Sequence, residues 1–193
     1  DGTIRKVGEW LLKTALAQAA IWRGTDPDFV ISVNVSYIQM LQGGFNQMVK
    51  RILEESKTPP KALILELTES CKVVDPNGLQ DDFEYFKNMG INMALDDFGT
   101  EYSSIALLRK LKPQWIKIDH TFVRSIQDDE MDQAILEYIT NLCKQTKIKV
   151  CVEGVENAAI LSVVQSYQPE LLQGYYFSKP CPPEEFSKKY FEK

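Results

Sequence analysis

The sequence predicts a parallel α/β fold in one domain, and three observations carry that expectation. Short apolar, β-branched runs alternate with segments of helical periodicity along nearly the whole chain. No Gly/Ser-rich linker or low-complexity stretch divides it. The composition, 44% hydrophobic and 25% charged over 193 residues, provides enough apolar surface for a core.

Ile4, Val7, Leu11, Ala15 and Ala19 recur at helical spacing, so a first helix is expected over residues 3–22, ending at Gly24 and Asp26-Pro27. Residues 29–35 (FVISVNV) read as a buried strand. Ser36 and Gln39 have capping-box spacing and open one long helix with Ile38, Leu41, Phe45, Met48, Ile52 and Leu53 on its apolar side. Thr58-Pro59-Pro60 breaks it, and residues 62–67 (ALILEL) form the second strand. Asp75-Pro76 reads as an N-cap with proline just inside, followed by Leu79, Phe83 and Phe86 and a stop at Gly90.

A third strand is expected over 91–95, running into Asp96-Asp97-Phe98-Gly99, then a short helix over 103–110 and a strand over 115–118. A helix follows over 131–143, carrying Ile135, Tyr138, Ile139 and Leu142, then a strand over 148–152 and a helix over 157–166. A last strand over 171–177 and a short tail end the chain. Six strands joined by helical crossovers imply a parallel sheet.

Composition also excludes function classes. Lys plus Arg is 22 and Asp plus Glu is 27, a formal charge of −5, which gives no general basic surface for DNA or RNA. Lys188 and Lys189 are too few for a nucleic-acid or membrane patch. No apolar stretch approaches the ~20 residues of a membrane span, and the first residues do not open a signal peptide. Cys71, Cys143, Cys151 and Cys181 form no Cys-x-x-Cys pair, so free thiols in a reducing cytoplasm are expected rather than a zinc site.

Chemistry concentrates at the C-terminal ends of the expected strands, where parallel α/β folds place their sites. Asn34, Glu66 then Glu69, Asp96-Asp97, Lys117 and Asp119, Glu153 then Glu156, and Gln173 follow six successive apolar runs. Any one of these alone reads as a cap or a solvated loop residue. In series they define a site. Buried carboxylates repel unless compensated, and Lys117 alone cannot balance Glu66, Asp96, Asp97 and Glu153. An all-oxygen donor set favours Mg2+ or Mn2+ over zinc. Two metals sharing a carboxylate suit phosphodiester hydrolysis. Adjacent strand residues point opposite ways, so Asp97 must sit at a bend to join Asp96.

The strings Val33-Asn34-Val35-Ser36, Glu66-Leu67-Thr68-Glu69-Ser70, Asp96-Asp97-Phe98-Gly99-Thr100, Lys117-Ile118-Asp119, Val152-Glu153-Gly154-Val155-Glu156 and Gln173-Gly174-Tyr175 resemble, in order and spacing, the EAL-domain family. The resemblance runs from about residue 2 to residue 186. It implies a modified (β/α)8 TIM-like barrel, here incomplete with about six strands. It implies a bacterial signalling enzyme that hydrolyses cyclic di-GMP to pGpG with Mg2+ or Mn2+ and is inhibited by Ca2+. Carried over by resemblance, Asn34, Glu66 and Asp96 would ligate one metal, and Asp96 would bridge to a second shared with Asp97 and Glu153. Lys117 would hold the attacking water, Glu153 would assist as general base, and Asp119 would support the metal-bound water. Glu69 would anchor the loop after Asp97, and Glu156 and Gln173 would shape the substrate pocket. The resemblance also implies a homodimer, and fusion to or regulation by sensor or diguanylate-cyclase domains.

Three departures stand out. No Glu-Ala-Leu or Glu-Val-Leu triplet occurs in the 193 residues. The family places it, with a metal-ligating Glu, on a strand before the helix that begins this chain. A single EAL-like domain over 1–193 lacking its first two strands is therefore expected, with one metal ligand missing and weak turnover. Open sheet edges would favour pairing with a second chain. Glu101 stands where the family has Gly, which strains the loop if φ is positive there. His120-Thr121 replaces the usual Arg-Ser, and His120 reads as a surface or loop histidine, with a catalytic group as the lesser alternative.

Trp10, Trp22, Phe83, Phe86 and Trp115 read as packing residues, and the acidic run around Asp128 to Asp132 as a helix cap. Two rivals to the enzyme reading remain in view. One is a degenerate EAL domain that binds cyclic di-GMP or a protein without turnover. The other is a barrel glycosidase using two carboxylates, which fits the Asp-Asp doublet with Lys and Asn less well.

Overall fold

A computed structural model describes residues 2–68, 73–100 and 105–192. Six strands alternate with helices, and every strand pairing given below is parallel. The chain divides into two compact units, Asp1–Met93 with Cys181–Lys193, and Ala94–Pro180.

In the first unit, α1 (Thr3–Arg23) ends with Gly24 as its C-cap. Its buried face is Leu12, Leu16 and Ala19, while Val7 and Leu11 are exposed and Trp10 is 65% exposed. The expected stripe is thus rotated by about one position. Apolar residues lie on nearly every side of this helix, so periodicity does not single out a face. β1 (Ile31–Ser36) pairs with β2 (Leu63–Thr68) from Ile31↔Leu63 to Ser36↔Thr68. β1 alternates, with Val33 and Val35 buried and Ser32 and Asn34 exposed, so it is half-buried rather than buried throughout.

Ser36 makes the expected capping box with Gln39, but the helix it opens is only α2 (Tyr37–Leu41). Gly44, at φ +88, starts a separate α3 (Phe45–Ser56). The break leaves Ile38 and Leu41 exposed while Phe45, Met48, Ile52 and Leu53 are buried. Asp75 caps α4 (Pro76–Met89) through Asn77 N and Gly78 N, and Gly90 ends it at φ +86.

The tail is a helix, α8 (Pro183–Tyr190). Trp22 holds it, with ring centroids 4.8 Å from Phe186 and 5.2 Å from Phe29 and Nε1 donating to Ser187 Oγ at 2.8 Å. Its sequence signal is Pro182-Pro183, two acidic residues in the first turn and two lysines in the last, which complement the helix dipole.

The second unit holds most of β3 (Asn92–Phe98), then α5 (Ile105–Leu111), β4 (Trp115–Ile118), α6 (Glu130–Thr146), β5 (Lys149–Val152), α7 (Ala158–Ser166) and β6 (Leu171–Leu172). β4 lies between β3 and β5, and β5 pairs onward with β6. Leu95, Ile116, Ile118, Ile126, Leu136 and Val152 form its core. Asp129 caps α6 through Met131 N and Asp132 N, as the acidic run predicts. The buried face of α6 is Leu136, Ile139, Thr140 and Cys143, with Tyr138 exposed. β6 stops after two residues because Gly174 lies against the backbone of Val155 and the chain turns, Phe177 N donating to Gly174 O. Tyr175, Tyr176 and Phe177 are therefore exposed instead of continuing a strand.

Candidate active site

A regular strand would send Asp96 and Asp97 to opposite faces. The chain avoids this with an irregularity: the β3–β4 register shifts between Leu95 and Phe98, and Asp97 takes φ +51. Aspartate tolerates this left-handed conformation better than most residues. Asp97 N donates to Asp96 Oδ1 at 3.1 Å, and Thr100 Oγ1 donates to Asp97 O at 3.0 Å. One oxygen each of Asp96, Asp97 and Glu153 then lies within 4.8 Å of the others.

Lys117 reaches this cluster from the strand between. Its Nζ lies 3.1 Å from Asp96 Oδ1 and 2.6 Å from Glu153 Oε1, with its side chain only 8% exposed. One ammonium thus faces three carboxylates. The shortfall shows at Asp97, whose carboxyl is pushed above the ordinary aspartate range by burial first, then by Asp96 and Asp119, against Lys117 and His120. A divalent cation fits this place: the donors are oxygens, and neighbouring carboxylates crowd Asp97. Cys143, Cys151 and Cys181 are not in disulfides, and burial, helped by Glu170, pushes the Cys143 thiol up to about 12, so it stays protonated.

Asp119 is buried at the end of β4. Burial raises its carboxyl, but hydrogen bonds from the Thr121 hydroxyl and N–H and from His120 together outweigh that and hold it below the ordinary range. Gly154 follows Glu153 at φ +77, where a Cβ would come within 2.5 Å of His120 Cβ. No other residue type fits there without displacement. Glu156 is exposed in the same loop. Gln173 is exposed beyond β6, its N–H donating to Val152 O at 2.8 Å and its carbonyl accepting from Val155 N at 3.1 Å. In the first unit Asn34 stands opposite Glu66 in the β1–β2 register, and Glu66 is 6% exposed. Glu69, Cys71 and Glu101 lie outside the described residues.

The EAL domain family model matches residues 1–180. The chain belongs to the EAL family. This EAL domain is 34% identical over 185 residues to the bifunctional diguanylate cyclase/cyclic di-GMP phosphodiesterase MucR of Pseudomonas aeruginosa, covering 95% of the chain and 27% of that protein. It spans about a quarter of the length of the curated relatives it matches. Its structure matches the EAL domain of Mycobacterium smegmatis DcpA with a TM-score of 0.91 at 31% identity, covering 96% of this chain and 84% of that one. It also matches a MucR phosphodiesterase in complex with c-di-GMP, with a TM-score of 0.89 at 34% identity, covering 96% and 75%. The α/β class with six parallel strands is thus that of solved EAL domains. Among the described residues of the EAL domain, no helix is long and apolar enough to cross a membrane.

Sequence reasoning did not single out Gly154, nor the pairing of His120 with Asp119. The second was within reach, because a histidine directly after a strand-end aspartate can bond back to it.

Proposed function

We propose that this domain hydrolyses cyclic di-GMP to the linear dinucleotide pGpG. The observation that carries the reading is the cluster of Asp96, Asp97 and Glu153 oxygens, bridged by Lys117. Mg2+ or Mn2+ held by these carboxylates would acidify water and neutralise phosphate charge. Lys117 holds the attacking water, Glu153 accepts its proton, and Asp119 supports that water. Asn34 and Glu66 are retained as metal ligands by family resemblance alone. Glu69 anchors the loop after Asp97, and Glu156 and Gln173 shape the pocket by the same warrant. A homodimer, a cytoplasmic location and regulation by a sensor or cyclase domain belong to the same proposal.

The Glu-Ala-Leu triplet is absent from these 193 residues, so turnover by this chain alone is proposed to be weak. Loss of one metal ligand lowers metal affinity and activity. Glu101, where the family has Gly, favours a second reading, a domain that binds cyclic di-GMP without cleaving it. Calorimetric titration with cyclic di-GMP in Ca2+, paired with chromatographic detection of pGpG in Mn2+, separates them. Binding with slow pGpG release supports the enzyme, and binding with none in either Mg2+ or Mn2+ supports the sensor.

A further inference from the structure

We propose that His120 is a catalytic residue of this site, the donor of the proton that the leaving sugar oxygen takes up when the phosphodiester is cleaved. The proposal rests on the phosphodiesterase reading above.

The geometry is that of a carboxylate-oriented imidazole. His120 Nδ1 lies 2.9 Å from Asp119 Oδ2. Asp119 is buried and ionised, and an ionised carboxylate only accepts, so Nδ1 carries a proton and donates. Asp119 is itself held from the other side, its Oδ1 accepting from the Thr121 N–H and hydroxyl. Nε2 is left as the outward nitrogen on a side chain that is 62% exposed, with no hydrogen-bond partner among the described residues. This is how a catalytic triad aims its imidazole.

The position is also fixed. His120 comes three residues after Lys117, at the same strand end. Its Cα and Cβ close on Gly154, the residue after Glu153. Three neighbouring groups are committed. Lys117 is bonded to two carboxylates, and Asp96 and Glu153 serve it as acceptors. Histidine is the side-chain type that exchanges its proton near neutral pH.

The step balances. Water oxygen bonds to phosphorus and its proton passes to the Glu153 carboxylate. The bond from phosphorus to the ribose 3′ oxygen breaks, and that oxygen's electron pair takes the proton from Nε2 of the doubly protonated ring. The neutral ring then regains a proton from solvent. The products are a phosphomonoester and an alcohol.

His120 is the single histidine of the chain, so histidine-selective 15N labelling reports this ring alone. Its ring signals are expected to move when cyclic di-GMP is added in Ca2+. In Mn2+, His120→Ala and His120→Asn should both lose about 100-fold or more of cyclic di-GMP turnover. The loss should be much smaller with bis(4-nitrophenyl) phosphate, whose phenolate leaves without a proton. His120→Asn keeps an N–H for Asp119 but has no transferable proton, so rescue by Asn would show a positioning role and overturn the proposal. Equal losses on both substrates, or ring signals unmoved by cyclic di-GMP, would also overturn it. Signals that move in a wild-type chain that cleaves neither substrate would support the contact but overturn the phosphodiesterase reading and, with it, the proton-donor role.

Discussion

Lys117 Nζ lies 2.6 Å from Glu153 Oε1, an ion pair between β4 and the residue that follows β5, and it also takes in Asp96. Removing one partner of such a buried set leaves charges without compensation. Lys117→Met keeps the volume and loses the charge. Without divalent cations it should unfold about 3–5 kcal/mol more easily in denaturant titration. Mn2+ should restore part of that loss by supplying positive charge to Asp96 and Glu153.

Asp97 works in the opposite sense. Its carboxyl is raised, so the folded state holds the proton more tightly than the unfolded chain. Its contribution to stability is therefore most favourable at low pH and declines as pH rises above the ordinary aspartate value near 3.8. In EDTA at neutral pH, Asp97→Asn should melt higher than wild type, and the gap should close as the pH falls below that value. In Mn2+ the order should reverse, because only wild type gains from binding the cation. Melting curves against pH, with and without Mn2+, check both halves.

Gly174 is needed for space. A Cβ there would fall 2.1 Å from Val155 O and 2.4 Å from Val155 N. Gly174→Ala should push the β6 turn off the loop after Glu153, costing roughly 1–3 kcal/mol and weakening Mn2+ binding. Chemical denaturation and calorimetry with Mn2+ read the two effects.

Trp22→Ala should release α8. Trp22 packs edge-on against Phe29, tilted against Phe186 and stacked on Phe191, and bonds Ser187, and its loss should cost about 3 kcal/mol. Hydrogen exchange over residues 183–190 should rise well before that elsewhere.

Much of this was legible from residue types with one strong local preference. Ser36 with Gln39, Asp75 with Pro76, Gly90 and Asp129 each mark a helix end, and each does so in the structure. The need for a bend at Asp97 followed from strand alternation, although the left-handed backbone that provides it did not. Where several faces are equally apolar, as on α1, tertiary packing decides. Where two glycines interrupt a helical pattern, as at Gly43-Gly44, periodicity runs on through the break. The end of β6 depends on Val155, nineteen positions before Gly174 by count, and no local pattern near Gly174 reveals it. The site residues stood out because carboxylates after apolar runs need a physical reason to be there.

Cyclic di-GMP turnover by wild type and Asp97→Asn, measured side by side across a range of Mn2+ concentrations, is the decisive measurement. Wild type should form pGpG slowly, faster as Mn2+ rises, and should lose that activity on amidation of Asp97. Wild type that binds cyclic di-GMP yet forms no pGpG at any Mn2+ concentration, or an Asp97→Asn variant as active as wild type, would contradict it.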